Sequence, residues 1–187
     1  MPNYVLTGAP GAGKTAIVRQ LELDGHQVVE EAATDVIALR LAIGDPEPHA
    51  DPAFIDAILS LQIQRQQGNQ MAAAADGSIV FFDRSPVCTL ALSRYLGYPE
   101  SDLLTAEVAR LLRCGSYAST VFFVRSLGFV TPTAARRISL ADSLRFEEVH
   151  ERTYRDLGFR LVDVPPGPLA ERAGLVRHEV RRMRQCQ

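Results

Sequence analysis

The sequence predicts an α/β fold built on a parallel sheet covered on both faces. Two observations carry this: five short apolar segments alternate with stretches of helical periodicity, and two of them, "SIVFFD" (78–83) and "STVFFV" (119–124), are apolar almost throughout. A strand with one wet face alternates polar and apolar residues, whereas one covered on both faces need not. A chain of 187 residues is the size of one domain, so a single domain over 1–187 is expected, burying roughly two-thirds of its unfolded surface.

Taken in order, "YVLT" (4–7) is a short strand, and a helix follows over 15–23 with Ile17, Val18 and Leu21 at helical spacing. "HQVVE" (26–30) is a second strand, and "TDVIALRLAI" a helix with Thr34 as its N-cap. Three prolines and a glycine make 44–52 a loop, and a helix over 53–75 closes before Gly77. After the third strand come helices near 86–96 and 101–114, the second capped by Ser101, then the fourth strand at 119–124. A polar loop over 125–139 leads to a helix at 140–157, ending at Gly158, then to strand "FRLVDV" and a final helix after "PPGP". In such folds ligands bind at the carboxyl ends of the strands.

Composition narrows the function classes. With 47 % apolar and 22 % charged residues and no run of 18 apolar ones, the chain reads as an ordinary globular protein with no membrane partner. The opening "MPNYVLTGAP" enters a strand without an export signal, so a cytoplasmic location is expected. Cys88, Cys114 and Cys186 are odd in number and widely spaced, which suits neither a disulfide framework nor a zinc site. A formal charge of -2 gives no global attraction to nucleic acid. Arg177, Arg181, Arg182 and Arg184 cluster near the end, but Glu179 interrupts them and no aromatic residue is interleaved, so they read as a solvated helix face. Oligomeric state stays open.

The segment between the first strand and first helix carries the chemistry. Gly8, Ala9, Pro10, Gly11, Ala12, Gly13, Lys14 and Thr15 match G-x-x-x-x-G-K-[ST] in the strand–turn–helix context that the mechanism needs. The glycines let backbone N–H groups converge on phosphate oxygens, and the helix N-terminus continuing through Ala16 adds its positive end. Lys14 brings a charge to the β and γ phosphates and Thr15 a hydroxyl for Mg²⁺. A nucleoside triphosphate with Mg²⁺ is the expected ligand; the absence of a guanine-reading N/T-K-x-D motif tilts the choice to ATP and leaves GTP open.

Other strand ends supply candidates for what happens to the γ-phosphate. Asp83 closes the third strand, where a second acid orients the metal through water; its alternative is an acid leading into a helix capped by Ser85. Arg84 faces an incoming acceptor or pairs with a neighbouring carboxylate. Glu30 and Glu31 end the second strand, and either is a general base for an acceptor hydroxyl, or both are solvated acids. Arg136 and Arg137 lie in a loop suited to a mobile lid over 125–145, with Arg145 two turns into the following helix. Val164, Pro165 and Pro166 offer an apolar surface for the nucleobase or form a simple turn. His26, His49, His150 and His178 receive no role.

The stretches "VLTGAPGAGKT", "EEAATDVI", "FFDRSPVCTLALSRYLG" and "SLRFEEVHERTYRDLGFRLVDVP" together resemble the small P-loop proteins of the AAA-type group related to nicotinamide-riboside kinase domains. The resemblance covers nearly the whole chain. It implies a kinase-like core of strand order 2-3-1-4-5, ATP and Mg²⁺ as ligands, and phosphorylation of a nucleoside-like hydroxyl. It carries over Lys14, Thr15, Asp83 and Arg84 by motif, and Arg136 and Arg137 by position. No arginine finger or extra helical domain of the ring-forming motors is found, so a hexameric machine is not expected. Two function classes follow: a kinase acting on a small-molecule hydroxyl or phosphate, and a nucleotide-dependent switch or ATPase whose lid signals to a protein partner.

Overall fold

The structure is a computed structural model that describes residues 3–76, 78–131 and 138–185. Its five strands are β1 (Asn3–Thr7), β2 (Gln27–Val29), β3 (Val80–Asp83), β4 (Thr120–Val124) and β5 (Arg160–Val164). The helices are α1 (Lys14–Leu23), α2 (Ala32–Ala42), α3 (Ala53–Asp76), α4 (Pro86–Leu96), α5 (Asp102–Cys114), α6 (Leu140–Asp156) and α7 (Leu169–Gln185). All neighbouring strands are parallel and the sheet order is β2-β3-β1-β4-β5, as the resemblance implies.

Handedness explains the two covering layers. The connection leaving β1 runs toward β2, whereas those leaving β2, β3 and β4 run the other way, so right-handed crossovers put α1 on one face and α3 to α6 on the opposite face. Strand side chains divide accordingly: Tyr4, Leu6, Phe81, Phe122 and Val124 pack with α1 and α7, while Val5, Val80, Phe82 and Val121 pack with Val87, Leu111 and Tyr154. Every residue of β3 and β4 is buried, which is why their sequences show no alternation. Each such Phe contributes roughly 1.5–3 kcal/mol of burial. Because β1 and its neighbours send their chains in opposite directions, their carboxyl ends open a crevice between the Gly8–Gly13 turn and the residues after Asp83.

One cap differs from the sequence expectation. Helix α2 starts at Ala32 with Glu31 as N-cap, and Thr34, expected to cap, instead donates its Oγ1 hydrogen bond to Glu31 Oε2 at 2.9 Å. The cap therefore sits three residues earlier, because a buried Ala32 continues the helix's apolar stripe. Ser85, Ser101 and Ser139 cap α4, α5 and α6 through their hydroxyls. A 3-10 turn, Pro48–Ala50, sits in the expected 44–52 loop. Cys88 is buried and Cys114 exposed, each a free thiol, and Cys186 lies outside the described residues. Arg181, Arg182 and Arg184 are exposed on α7, as expected of a solvated face. Among the described residues no helix is long and apolar enough to cross a membrane.

Gly8 is where the strand must turn. Its φ of +127° is closed to side-chain-bearing residues, and a Cβ there would stand 2.3 Å from the carbonyl oxygen of Val124 on β4. Gly25, with φ +89°, has nothing within 4 Å of its own Cβ position. Gly8→Ala is expected to cost more than about 3 kcal/mol and Gly25→Ala only about 1 kcal/mol, read by urea unfolding; equal losses would show that the Val124 contact is not limiting.

Candidate active site

The turn after β1 is tied down by its carbonyl groups. Arg84 Nη1 donates to Gly8 O at 3.2 Å, Lys14 Nζ to Ala9 O at 2.7 Å, Ser143 Oγ to Pro10 O at 2.8 Å and Arg172 Nη2 to Ala12 O at 2.8 Å. These donors come from α1, the end of β3, α6 and α7. A trans peptide points its C=O and N–H in opposite directions, so holding the Gly8, Pro10 and Ala12 oxygens turns the N–H groups of Ala9, Gly11 and Gly13 the other way, whereas the Ala9 oxygen precedes Pro10, which has no N–H. Gly13, at φ 82°, caps α1, and with Gly11, Lys14 and Thr15 it lines a cavity of about 420 Å³ that Glu31 and Asp83 also line.

A second cavity, of about 430 Å³, lies between α2, α3, α4 and α6. Its walls are largely apolar, including Ile37, Phe54, Ile58, Leu92 and Phe146, with Arg84, Gln62 and Thr89 among its polar groups. Thr89 Oγ1 donates to Gln62 Oε1 at 2.7 Å, which fixes the amide and leaves its NH₂ group to donate elsewhere. Glu31 and Thr34 belong to both cavities.

Between them lies a compact set of buried charges. Arg84 Nε is ion-paired with Glu31 Oε1, and Arg84 is the one non-glycine described residue with positive φ, at 75°. That backbone conformation costs of order 1–3 kcal/mol and persists because the surroundings over-determine it: the Arg84 N–H donates to Leu6 O at 3.0 Å while the guanidinium is bound by Glu31, Gly8 and His150. His150 is fully buried on α6. Its Nδ1 lies 3.0 Å from the Phe146 carbonyl, which can only accept, so Nδ1 carries the proton and Nε2 accepts from Arg84 Nη1 at 3.2 Å. Burial, reinforced by Arg84, pushes the imidazole well below its ordinary pKa and keeps it neutral.

The same environment tunes the rest. Burial, with Arg84 alongside, pushes the Lys14 ammonium down to about 7, against the opposing pull of Asp83 and Glu31. Burial would raise Glu31, but the charges of Arg84 and Lys14, with bonds from Thr34 and Arg84, hold its carboxyl at about 2. Burial and the neighbouring Glu31 raise Asp83 above the usual carboxylate range, with Lys14, Arg84 and Thr15 opposing. Thr15 Oγ1 donates to Asp83 Oδ2 at 2.9 Å, while Asp83 Oδ1 is buried with no hydrogen-bond partner among the described residues. A hydroxyl beside a carboxylate oxygen with unused lone pairs is a donor set that fits Mg²⁺.

The sequence-derived candidates separate in space. Lys14, Thr15, Asp83, Arg84 and Glu31 come together, whereas the Glu30 carboxylate reaches the first cavity but pairs with Arg19, both half-exposed. Val164, expected on an apolar surface for a nucleobase, is fully buried among β4 and α7 residues and cannot serve, while Pro165 and Pro166 are exposed. Arg145 is exposed and paired with Asp142 rather than turned toward Lys14. Arg136 and Arg137 lie outside the described residues. Ser143, His150 and Arg172 were missed. The signal for the first two was a polar residue on a buried stripe, since Ser143, Phe146, His150 and Thr153 recur at helical spacing.

The phosphate-cradling turn, the Thr15–Asp83 pair and the 2-3-1-4-5 parallel sheet define a P-loop nucleotide-binding protein with a kinase-like core. The chain belongs to the AAA_28 family, whose model, described as an AAA domain, matches residues 3–172. Among solved structures it is similar to a deoxyadenosine kinase from M. mycoides with products dCMP and dCDP bound, at 14% identity and TM-score 0.54, covering 96% of this chain and 98% of that one. It is also similar to a NadR protein in complex with NR, at 17% identity and TM-score 0.62, covering 87% of this chain and 43% of that one. No curated protein matches the sequence.

The Glu31 pKa has a measurable consequence. The unfolded carboxyl binds its proton near 4.5 and the folded one near 2, so Glu31 contributes stability that is complete above pH 4.5 and lost as pH falls toward 2, about 3 kcal/mol in all. Glu31→Gln is expected to flatten the fall of urea stability over that window and to lower stability at neutral pH, because Arg84 is left unpaired. An unchanged acid limb would show that the Arg84 pair does not govern Glu31.

Proposed function

We propose that the protein is an ATP- and Mg²⁺-dependent kinase that phosphorylates a hydroxyl group of a small, uncharged, largely apolar acceptor. The observation that carries this reading is the placement of Glu31, which fronts the phosphate cavity on one side and the apolar cavity on the other. The second cavity is wide enough for a ring-bearing molecule. Arg84, its principal cation among the described residues, is already matched by Glu31, which disfavours a phosphorylated acceptor.

In this reading Lys14 leaves the Ala9 carbonyl for the β and γ phosphates, and the amides of the 8–15 turn hold the same oxygens. Lys14 is one of the two cations that depress Glu31, so its engagement by phosphate makes the Glu31 carboxylate more basic. The acceptor oxygen attacks the γ-phosphorus, the bond to the β–γ bridging oxygen breaks, ADP leaves, and the hydroxyl proton passes to Glu31. Arg84 keeps Glu31 aimed, and the His150–Phe146 bond keeps Arg84 in place. Thr15 and Asp83, the latter through water, would hold Mg²⁺, which supplies positive charge to the β and γ oxygens. The 125–145 segment serves as a lid bringing Arg136 and Arg137 to the transferring group, and Pro165 borders the nucleobase.

The deciding experiment is Mg-ATP consumption, alone and with a panel of nucleosides, nucleoside monophosphates, nicotinamide riboside and hydroxylated antibiotics, with Lys14→Ala as control. Stimulation by a neutral hydroxyl compound, lost in the control, is the expected result; nucleotide binding with a flat panel would favour a nucleotide switch. With an acceptor in hand, Asp83→Asn and Glu31→Gln should each lower kcat at least about 100-fold. Asp83→Asn should not lower the nucleotide-free Tm, because the fold raises the pKa of Asp83 and its ionised form costs stability at neutral pH.

Lys14 gives a second check. An ammonium titrating at about 7 in the free protein is mostly neutral at about pH 8.5, and bound phosphate restores its charge. ATP binding should therefore take up close to one proton at about pH 8.5 and much less from this group near pH 6, measured by calorimetry in buffers of different ionisation heat. Equal uptake at both pH values would contradict the assignment.

A further inference from the structure

Arg172, in the first turn of α7, has no part in the chemistry above. The residue is only 5 % exposed, and among the described residues it forms no ion pair and its Nε has no hydrogen-bond partner. A buried guanidinium without a counter-ion is a cost to the folded state; Arg84, whose side chain is 10 % exposed, faces Glu31.

What Arg172 touches is the phosphate turn. Besides the 2.8 Å bond to Ala12 O, Nη2 lies 3.4 Å from Arg125 O, and Nη1 stands 2.8 Å from the point that a Cβ on Gly13 would occupy. The Ala12 carbonyl and the Gly13 N–H belong to one peptide plane and point in opposite directions. Gly13 lines the phosphate cavity. A cation gripping that oxygen fixes the plane, aims the Gly13 amide into the cavity and polarises the amide so that it donates more strongly to an anion.

We propose that Arg172 is a positioning residue for nucleotide phosphate, orienting the Ala12–Gly13 peptide from behind, and that the phosphate bound across this peptide supplies the negative charge Arg172 otherwise lacks. The inference rests on phosphate occupying the 8–15 turn. It also makes α7, which follows the Pro165 loop directly, part of the nucleotide site.

The test compares wild type with Arg172→Met, Arg172→Lys and Lys14→Ala, reading the nucleotide-free Tm and the Kd for Mg-ADP by calorimetry. Arg172→Met keeps the bulk but cannot grip the oxygen, and it should weaken Mg-ADP about tenfold or more without lowering the nucleotide-free Tm; Arg172→Lys should recover part of the affinity. A purely structural arginine gives the reverse: a lower nucleotide-free Tm with Mg-ADP affinity intact, which would overturn the proposal. If Arg172→Met does not fold, Arg172→Lys decides, weaker Mg-ADP binding at a wild-type Tm supporting the role and unchanged binding overturning it. Wild-type Mg-ADP affinity in Lys14→Ala would instead overturn the phosphate site itself, whatever the Arg172 variants do.

Discussion

A turn that offers its amides to a ligand must find other partners for its carbonyl oxygens, and the rest of this structure is arranged around that requirement. Backbone polar groups left unpaired away from water cost about as much as a lost hydrogen bond. Here Gly8, Ala9, Pro10 and Ala12 each give their oxygen to a side chain, and the donors Arg84, Lys14, Ser143 and Arg172 sit far apart in the chain. The 2-3-1-4-5 order makes this feasible. It places β1 centrally, so that the end of β3, α6 and α7 all reach the turn that follows it.

The charges add a second level of dependence. Lys14, Glu31, Asp83 and Arg84 are close enough that each one's protonation is set by burial and then by the charges of the others, and His150 is kept neutral at the end of the row. A buried ion pair on its own is weak evidence for stability. This one sits on a strained Arg84 backbone between two cavities, an arrangement that makes better sense as preparation for chemistry than as reinforcement of the fold.

Much of this was legible in the chain. The apolar runs of β3 and β4 gave away a doubly covered sheet, and the Gly8–Thr15 pattern located the phosphate turn, because in both cases the physics is local: burial on two faces, and a tight turn before a helix. The choice between Glu30 and Glu31 was not legible, since adjacent residues at a strand end point in different directions and only the start of α2 decides which turns inward. The same holds for Thr34, where a good capping residue lost to a buried alanine upstream, and for Val164, where the strand ran further into the core than its neighbouring prolines suggested. Ser143 and Arg172 meet the turn, and His150 meets Arg84, only through tertiary packing, across separations of more than 60 residues.

The two faces of the sheet carry different work. The phosphate turn continues into α1 and is backed by α7, while the apolar cavity is walled by α2, α3, α4 and α6 on the other face, and the layers meet at the tips of β1 and β3. Side chains on α2 and α3 can therefore vary in size and polarity without disturbing the amides of the turn or the Thr15–Asp83 pair. Under the proposed function such a plan separates what is handed over from what receives it, so that a lineage of proteins with this core can change its clientele by redrawing one wall while inheriting the transfer apparatus intact.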